Sequence, residues 1–242
     1  MLKVIHLYPD LMNLYGDQGN LSVLERRSAW YGEKLQVVRV NLGEKIPFED
    51  ADMIFMGGGS DREQGLITKD FVRHADSLLR VIEDGMPVLA ICGAYQMLGK
   101  EYITVEGERY AGLQLFSFHT EGGKERLIGN IALETTLNGK TETVVGFENH
   151  GGRTWLDDAA LQPWGKVLTG YGNNGQDGWE GMQYRNLVAT YLHGPLLPKN
   201  PKLADFFLKT MFERRGLPMS AVLDDTLENF AHEQILQRLR RP

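Results

Sequence analysis

The sequence predicts an α/β fold: a three-layer sandwich in which helices cover both faces of a mostly parallel central sheet. Short apolar runs alternate with helical patterns through the first hundred residues, and this alternation is typical of parallel βαβ units with right-handed crossovers. The 242 residues show no repeat, low-complexity tract or linker, and 42% of them are hydrophobic. We therefore expect a single domain over residues 1–242.

The first half of the chain supplies the predicted βαβ units. Apolar runs predict strands, and apolar residues spaced three and four apart predict helices. The strands are predicted at 4–7, 35–40, 52–56 and 88–91, and the helices at 21–31, 68–83 and 94–98. Asn20 is predicted to cap the first helix, because short polar side chains accept hydrogen bonds from the free N–H groups of a first helical turn.

The pattern changes after residue 104. Strand-like runs occur at 127–132, 143–147, 166–168 and 187–192, with no helical pattern between them. Residues 170–178 contain Asn-Gly and Asp-Gly pairs and are predicted to form a turn or a long loop. Two further helices are predicted, at 201–215 and 226–238.

Cys92 stands between the predicted buried strand 88–91 and the predicted helix 94–98. This order of strand, nucleophile, glycine and helix is that of a nucleophile elbow, in which a sharp turn lifts a reactive side chain above a sheet edge. The helix start favours the reactive thiolate, and the small Gly93 and Ala94 let a substrate approach the backbone. A free cysteine is often only a small buried hydrophobic residue, but this setting favours a nucleophile.

A cysteine nucleophile needs a base, and the six histidines of the chain are the candidates. His193 follows the strand-like run 187–192 and precedes a Gly-Pro pair that ends it. In open α/β sheets, sites form outside the carboxyl ends of the strands. Cys92 and His193 are therefore predicted to converge, with His150 as the second candidate.

A run of three glycines, 57–59, ends another predicted strand. Backbone N–H groups in such a turn can stabilise a developing oxyanion, and Gly58 together with Gly93 is the predicted pair of donors. The alternatives are an ordinary turn or a phosphate-binding loop, but the Gly-Lys-Ser/Thr of a P-loop is absent from the sequence. No Gly-x-Gly-x-x-Gly stands between a predicted strand and a predicted helix, and zinc-site spacing is absent, so we expect no dinucleotide cofactor and no metal.

The composition excludes several classes of protein. A net charge of −6 and a pI near 5.6 argue against sequence-independent binding of nucleic acid, which needs concentrated positive charge. The single cysteine excludes an intrachain disulfide and fits a reducing cytosol. Without a signal segment or an apolar run of membrane-spanning length, we expect a cytoplasmic protein with no membrane span.

Three motifs together resemble class I glutamine amidotransferases of the cobyric-acid-synthase (CobB/CobQ) type. The motifs are Gly57-Gly58-Gly59, Ile91-Cys92-Gly93-Ala94-Tyr95-Gln96 and His193-Gly194-Pro195. Four longer strings, 14–17, 57–64, 146–154 and 190–200, resemble the glutaminase subunits, GatD, of lipid II isoglutaminyl synthase, and the resemblance covers nearly the whole chain. The chain length supports a separate subunit, because cobyric acid synthases carry an additional ATP-binding domain.

The resemblance implies a flavodoxin-like fold and a glutaminase. Cys92 would attack the side-chain amide of L-glutamine to form a glutamyl thioester, and His193 would move the protons. The ammonia would pass to a Mur-ligase-like partner subunit, MurT, where ATP activates the α-carboxylate of D-glutamate in lipid II and D-isoglutamine forms. The resemblance thus implies a heterodimer that reaches the inner face of the membrane through the complex. It implies no cofactor in this chain, with ATP and Mg on the partner.

Two further site residues follow from the resemblance. Arg126 matches the family arginine that holds the substrate glutamine, and a guanidinium suits a carboxylate bidentately; the alternative is an exposed arginine beside a strand. Many class I glutaminases have a glutamate two residues after the histidine, where this chain has Pro195. No acid near His193 in the sequence then orients its ring, and the site is a Cys–His dyad. Alternatively, the orienting acid comes from the partner subunit or from elsewhere in this chain, where Glu148 is the obvious candidate. Glu148 is equally well explained as a structural residue bonded to nearby backbone.

Other functions remain compatible with these motifs. A cysteine-dependent hydrolase of the same fold would act without a partner, and a related subunit would supply ammonia to another ATP-dependent synthase. A non-catalytic subunit would keep the fold only for assembly. The presence of Cys92 and His193 at motif positions argues against that last interpretation.

Overall fold

The computed structural model describes residues 1–13 and 16–240, and within them the chain forms thirteen strands and six α-helices. The strands are β1 (Leu2–Leu7), β2 (Leu35–Val40), β3 (Met53–Met56), β4 (Val88–Ile91), β5 (Glu101–Ile103), β6 (Arg109–Ala111), β7 (Phe118–Leu137), β8 (Lys140–Leu156), β9 (Gly165–Thr169), β10 (Trp179–Glu180), β11 (Met182–Tyr184), β12 (Leu187–Thr190) and β13 (Leu192–His193). The α-helices are α1 (Gln18–Trp30), α2 (Asp61–Phe71), α3 (Ala75–Glu83), α4 (Gly93–Met97), α5 (Pro201–Arg214) and α6 (Thr226–Leu239). In the string 14–17, Leu14 and Tyr15 lie outside the described residues. No helix within the described ranges is long and apolar enough to cross a membrane.

Six strands form the first sheet, in the order β11-β12-β4-β3-β1-β2. Every neighbouring pair is parallel except β11 with β12, which form an antiparallel hairpin at one edge. β4 lies between β3 and β12, with Ala90 opposite Met56 on one side and Ala189 on the other. The predicted α/β fold with a mostly parallel central sheet is confirmed.

Alternate residues of β4 pack into different apolar clusters, because successive side chains of a strand point to opposite faces of the sheet. Val88 and Ala90 belong to the cluster that includes residues of α2 and α3. Leu89 and Ile91 belong to the cluster that includes residues of α1 and α5. Cys92 packs against both clusters, so the start of the elbow is held from both faces of the sheet.

The second sheet is built around the long antiparallel hairpin of β7 and β8. Its strand order is β10-β9-β7-β5-β6, and β8 pairs with β7 and β13. The hairpin turns at Asn138 and Gly139, both with positive φ, 51° and 75°. Asn-Gly is a common pair in such turns because both residues tolerate left-handed backbone. The predicted strands 127–132 and 143–147 are parts of this hairpin.

The predicted cap of the first helix is wrong. Asp17, not Asn20, occupies the N-cap position of α1. Asn20 lies inside the helix, and its side-chain oxygen accepts a hydrogen bond from the Leu197 N–H at 2.7 Å. A tertiary contact therefore uses the polar group that the local pattern assigned to capping.

Two predicted elements are divided. The helix predicted at 68–83 is α2 and α3, separated by the 3₁₀ turn Val72–His74, and α2 begins earlier because Ser60 and Glu63 form a capping box. The strand predicted at 187–192 is β12 in the first sheet and β13 in the second. The chain thus changes sheet at Tyr191.

Candidate active site

Cys92 lies between the carboxyl end of β4 and the start of α4, and it is half-buried. Its backbone has φ 52° and ψ −102°, a left-handed conformation that is uncommon for a residue with a side chain. The Cys92 N–H donates a hydrogen bond to the carbonyl oxygen of Thr190 at 2.7 Å. This is the sharp, strained strand-to-helix turn of a nucleophile elbow.

His193 ends β13 and is fully buried. Its side chain interacts with Cys92 and with Asp17, and its Nδ1 lies 3.3 Å from Asp17 Oδ1. The structure therefore brings the predicted nucleophile and base together at one sheet edge. It adds an acid from the segment that follows β1.

The neighbours of His193 determine its charge. Burial by itself lowers the pKa of His193, but the negative charges of Cys92 and Asp17 and their hydrogen bonds raise it to about 10. His193 therefore carries a proton at neutral pH, as an imidazolium between a sulfur and a carboxylate. His193 thus presents a cation to the sulfur of Cys92.

Asp17 is a site residue that sequence reasoning did not identify. Its carboxylate is fully buried, with Oδ1 facing His193, while Oδ2 accepts a hydrogen bond from the Gly58 N–H at 2.8 Å. Although Asp17 stands at the N-cap of α1, its side chain makes no capping hydrogen bond. A signal was present: Asp17 belongs to one of the family-like strings and follows β1, whose carboxyl end lies at the same sheet edge as that of β4.

Gly58 lies where the three side chains meet. A Cβ atom on this residue would stand 2.7 Å from His193 Cε1 and 3.4 Å from Cys92 Cβ, so the position requires glycine. The structure corrects the predicted role of Gly58 as an oxyanion donor, because its N–H is directed at Asp17. The Gly59 nitrogen lies 3.1 Å from where a Cβ of Gly93, the other predicted donor, would stand.

Glu148 is fully buried on β8, where it pairs with Leu192 of β13. Its carboxylate accepts hydrogen bonds from the backbone N–H groups of Tyr171, at 2.7 Å, and Gly172, at 3.0 Å. Of the two roles considered for Glu148, the structure shows the backbone-holding one. The acid that faces His193 is Asp17.

His150 is also buried, on β8. Its ring stacks on Tyr191, with centroids 3.7 Å apart, and its Nδ1 lies 2.7 Å from the carbonyl oxygen of Gly152. Burial lowers the pKa of His150, so this residue is neutral. The structure thus brings His193 and not His150 to the cysteine.

Arg126 lies in β7 at the irregularity between Gly122 and Leu127, and it is exposed. Its Nε donates to the side-chain oxygen of Asn149 and one terminal nitrogen to the carbonyl oxygen of the same residue, both at 2.7 Å. Both acceptors are neutral, so within the described part of the chain the guanidinium has no carboxylate among its hydrogen-bond partners. The structure leaves its charge available to a ligand but shows no contact with Cys92.

A cavity of about 380 Å³ lies beside α4 and the β5–β6 hairpin, within the size range of small-molecule pockets. Its lining includes Gln64 and Gln96, whose side-chain amides hydrogen-bond to each other at 2.9 Å. Gln96 also donates to the Tyr191 hydroxyl at 3.1 Å. Hydrogen bonds therefore link the cavity wall to the residue at which the chain changes sheet.

Among the described residues, no three His, Cys, Asp or Glu side chains are grouped to hold a metal ion.

The fold and the site together define a class of protein. A parallel sheet with a cysteine elbow on a central strand, and a histidine from beyond the adjacent strand, is the arrangement of class I glutamine amidotransferases. A solved glutamine amidotransferase from Thermotoga maritima aligns with a TM-score of 0.55 over 98% of this chain and 97% of its own, at 17% identity. At this identity the likeness shows the fold alone, and that fold is the one predicted.

Residues 3–201 match the CobB/CobQ-like glutamine amidotransferase domain, and the chain belongs to this family of enzymes. Two relatives are GatD subunits of lipid II isoglutaminyl synthase (glutamine-hydrolyzing). The relative from Staphylococcus aureus is 45% identical, over 99% of this chain and 97% of its own length. The relative from Streptococcus pneumoniae is 37% identical, over 88% and 82%. The family resemblance drawn from the motifs is confirmed.

Proposed function

We propose that this chain is the glutamine-hydrolysing subunit of a lipid II isoglutaminyl synthase. The observation that carries the proposal is the 45% identity, over 99% of the chain, to a relative of that name. The reaction is hydrolysis of L-glutamine to L-glutamate and ammonia. The arrangement of Cys92, His193 and Asp17 supports a mechanism that proceeds through a thioester.

In the first half-reaction, the Cys92 sulfur attacks the side-chain amide carbon of glutamine. The carbonyl electron pair moves onto oxygen, and the His193 imidazolium then gives its proton to the amide nitrogen as the C–N bond breaks. Ammonia leaves and the glutamyl thioester remains on Cys92. Asp17 binds the Nδ1 side of the imidazolium, which orients the ring and stabilises its positive charge.

In the second half-reaction, neutral His193 takes a proton from a water molecule whose oxygen attacks the thioester carbon. The C–S bond breaks, glutamate leaves, and the ion pair of Cys92 and His193 is restored. Gly93 and Gly59 N–H groups stabilise the oxyanion in both halves. Gly59 takes the role predicted for Gly58, since the Gly58 N–H is bound by Asp17.

The ammonia passes to a Mur-ligase-like partner subunit, MurT. There ATP and Mg activate the α-carboxylate of D-glutamate in lipid II, and the product is D-isoglutamine, so this chain itself needs no cofactor. The complex works in the cytoplasm and meets its lipid-linked substrate at the inner face of the membrane.

Isotope transfer tests the function. The tagged chain, co-expressed with an untagged ligase partner, should copurify with it. The complex should convert amide-¹⁵N glutamine, ATP and lipid II into ¹⁵N-labelled D-isoglutamine. Transfer of the label to a different acceptor would indicate another ATP-dependent synthase. Cleavage of peptide substrates without any partner, and no release of ammonia from glutamine, would indicate a partner-independent hydrolase.

Asp17→Asn should lower turnover about tenfold to hundredfold, since a hydrogen bond to a charged partner is worth about 1.5–3 kcal/mol. The amide keeps the size of the side chain but removes the charge that favours the His193 imidazolium. Steady-state kinetics should show this loss in kcat, with the alkaline limb of the pH profile moved to lower pH. Asp205→Asn, which alters the ion pair with Arg27 between α5 and α1, should leave both unchanged. Wild-type kinetics in the Asp17→Asn variant would show that the site is a Cys–His dyad without a third member.

Arg126→Ala should raise the glutamine concentration needed for amidation by about tenfold to hundredfold. The variant loses a charge-assisted contact with the α-carboxylate of glutamine, and such a contact contributes about 1.5–3 kcal/mol to binding. Amidation driven by added ammonium should survive, because ammonium bypasses the glutamine site. Isoglutamine formation is measured with each nitrogen source in turn. Lys124→Ala is the matched control and should change little, since an ammonium group lacks the planar fork that matches a carboxylate. Equal losses with both nitrogen sources would place Arg126 in the subunit interface or the fold.

A further inference from the structure

The chain changes sheet between β12 and β13, and the turn at this point leads directly to His193. A single buried oxygen closes the turn. Glu180 Oε1 accepts a hydrogen bond from the Tyr191 N–H at 2.7 Å and another from the Thr190 hydroxyl at 2.7 Å. Glu180 therefore satisfies the backbone donor that the chain exposes when it leaves the first sheet.

The same turn holds the nucleophile. The carbonyl oxygen of Thr190 accepts the Cys92 N–H at 2.7 Å, and the Thr190 hydroxyl oxygen accepts the Leu192 N–H at 3.0 Å. Thr190 is thus bonded to the elbow through its backbone and to the strand of His193 through its side chain. Glu180 fixes the direction of that hydroxyl, so one carboxyl supports both members of the catalytic pair.

Glu180 is itself fully buried, and within the described residues its second oxygen, Oε2, has no hydrogen-bond partner. Glu148 on β8 and Tyr95 on α4 interact with it electrostatically, and neither is a cation. Burial raises the pKa of Glu180 to about 8, and the charge of Glu148 acts in the same direction, against hydrogen bonds from Thr190 and Tyr191 that lower it. At neutral pH Glu180 is a carboxylic acid, which can still accept two hydrogen bonds through Oε1.

We propose that Glu180 is a positioning residue of the glutaminase site: its buried carboxyl holds the turn at Thr190 and Tyr191 that sets Cys92 and His193 against each other. Glu180 does not touch the reacting atoms and acts only through this turn. A displacement of about 1 Å at a catalytic pair can lower turnover by about 10²-fold. The measurement of kcat and KM rests on the proposed glutaminase function, whereas the measurement of Cys92 alkylation does not.

Three variants of the full chain separate the requirements at position 180. Glu180→Gln keeps a neutral oxygen acceptor at the same reach, Glu180→Asp withdraws the acceptor by one methylene, and Glu180→Ala removes it. Glu180→Gln should retain kcat close to that of the wild type. Glu180→Ala and Glu180→Asp should each lose more than about tenfold in kcat with little change in KM, because the catalytic pair is misplaced while the glutamine site is intact.

Alkylation of Cys92 gives a readout that needs neither glutamine nor a partner. The rate of labelling by iodoacetamide is measured between about pH 6 and pH 9, a range that spans the ordinary ionisation of a thiol at about 8.5. Displacement of His193 changes the surroundings of the Cys92 sulfur. The profile of Glu180→Ala should therefore differ from that of the wild type, and Glu180→Gln should restore it. If these profiles are seen but the wild type hydrolyses no glutamine, the proposed function fails and the positioning role stands.

Asp52→Ala is the matched control. Asp52 is also a buried carboxylate that accepts a backbone N–H, from Lys3 at 2.7 Å, but it precedes β3, at the opposite end of the sheet from Cys92. The Asp52→Ala variant should have a lower thermal midpoint of unfolding but the same pH profile of Cys92 labelling as the wild type. If Glu180→Ala fails to fold, Thr190→Val, which removes only the hydroxyl, takes its place and should move the profile in the same direction. A wild-type profile in the Ala or Val variant, or a Gln variant as impaired as Ala, would overturn the proposal.

Discussion

Cys92→Ala should abolish glutamine hydrolysis, with a loss of up to about 10⁶-fold, as when the nucleophile of a serine protease is removed. Cys92 is the single cysteine of the chain, so no other thiol can form the thioester. Cys92→Ser should be nearly as inactive, because a hydroxyl is far less acidic than a thiol and His193 cannot hold its proton in a resting ion pair. Glutamate formation measures the loss.

A glutamine-analogue inhibitor that alkylates thiols gives the matching chemical result. Mass spectrometry should find one equivalent of the inhibitor on Cys92 and none on the Cys92→Ala variant. In complex with the partner, Cys92→Ala should still support amidation from added ammonium, because ammonium enters after the glutaminase step. Full glutaminase activity in Cys92→Ser would end the thioester mechanism.

His193→Ala should lower turnover by about 10²–10⁴-fold, the usual contribution of a general acid–base group. The variant loses both the cation beside Cys92 and the proton that ammonia takes as it leaves. In the wild type, the raised pKa of His193, about 10, keeps the imidazolium through neutral pH. Because the proton donor is lost as the pH rises through that value, wild-type turnover should fall on the alkaline side. A pH profile of glutamine hydrolysis measures both effects.

His150→Ala is the control for this substitution. Its ring stacks on Tyr191 and its Nδ1 lies against a backbone carbonyl, so removing it should lower the thermal midpoint. Its effect on turnover should be much smaller than that of His193→Ala. If His150→Ala proved the more damaging and His193→Ala were mild, the base would be His150 and not His193.

Elements with local signals were predictable from the sequence. The apolar run 88–91 is β4 to the residue, and α5 ends one residue before its prediction. A buried strand bounded by Cys-Gly, and a helix that opens on Pro201, carry their signals in adjacent positions. Cys92 and His193 followed from these elements, because the carboxyl ends of parallel strands lie at one edge of a sheet.

Polar side chains with distant partners were not predictable in this way. Asn20 has the chemistry of a helix cap, yet its oxygen binds the N–H of Leu197, 177 residues further along the chain. Glu148 has the chemistry of an orienting acid, yet it binds the backbone N–H groups of Tyr171 and Gly172. In each case the residue type indicates what the side chain can bind, and the tertiary fold selects the partner.

The α/β class, the elbow at Cys92 and its pairing with His193 could all be predicted from the order of residues. Each of these depends on hydrophobic periodicity or on where a strand ends. The fold was needed to bring Asp17 to His193, 176 residues away in the chain, and Glu180 to the change of sheet. Apolar residues that recur every 2 or 3.6 positions indicate only which face of a strand or helix a side chain occupies. A hydrogen bond between residues far apart in the chain leaves no such local pattern.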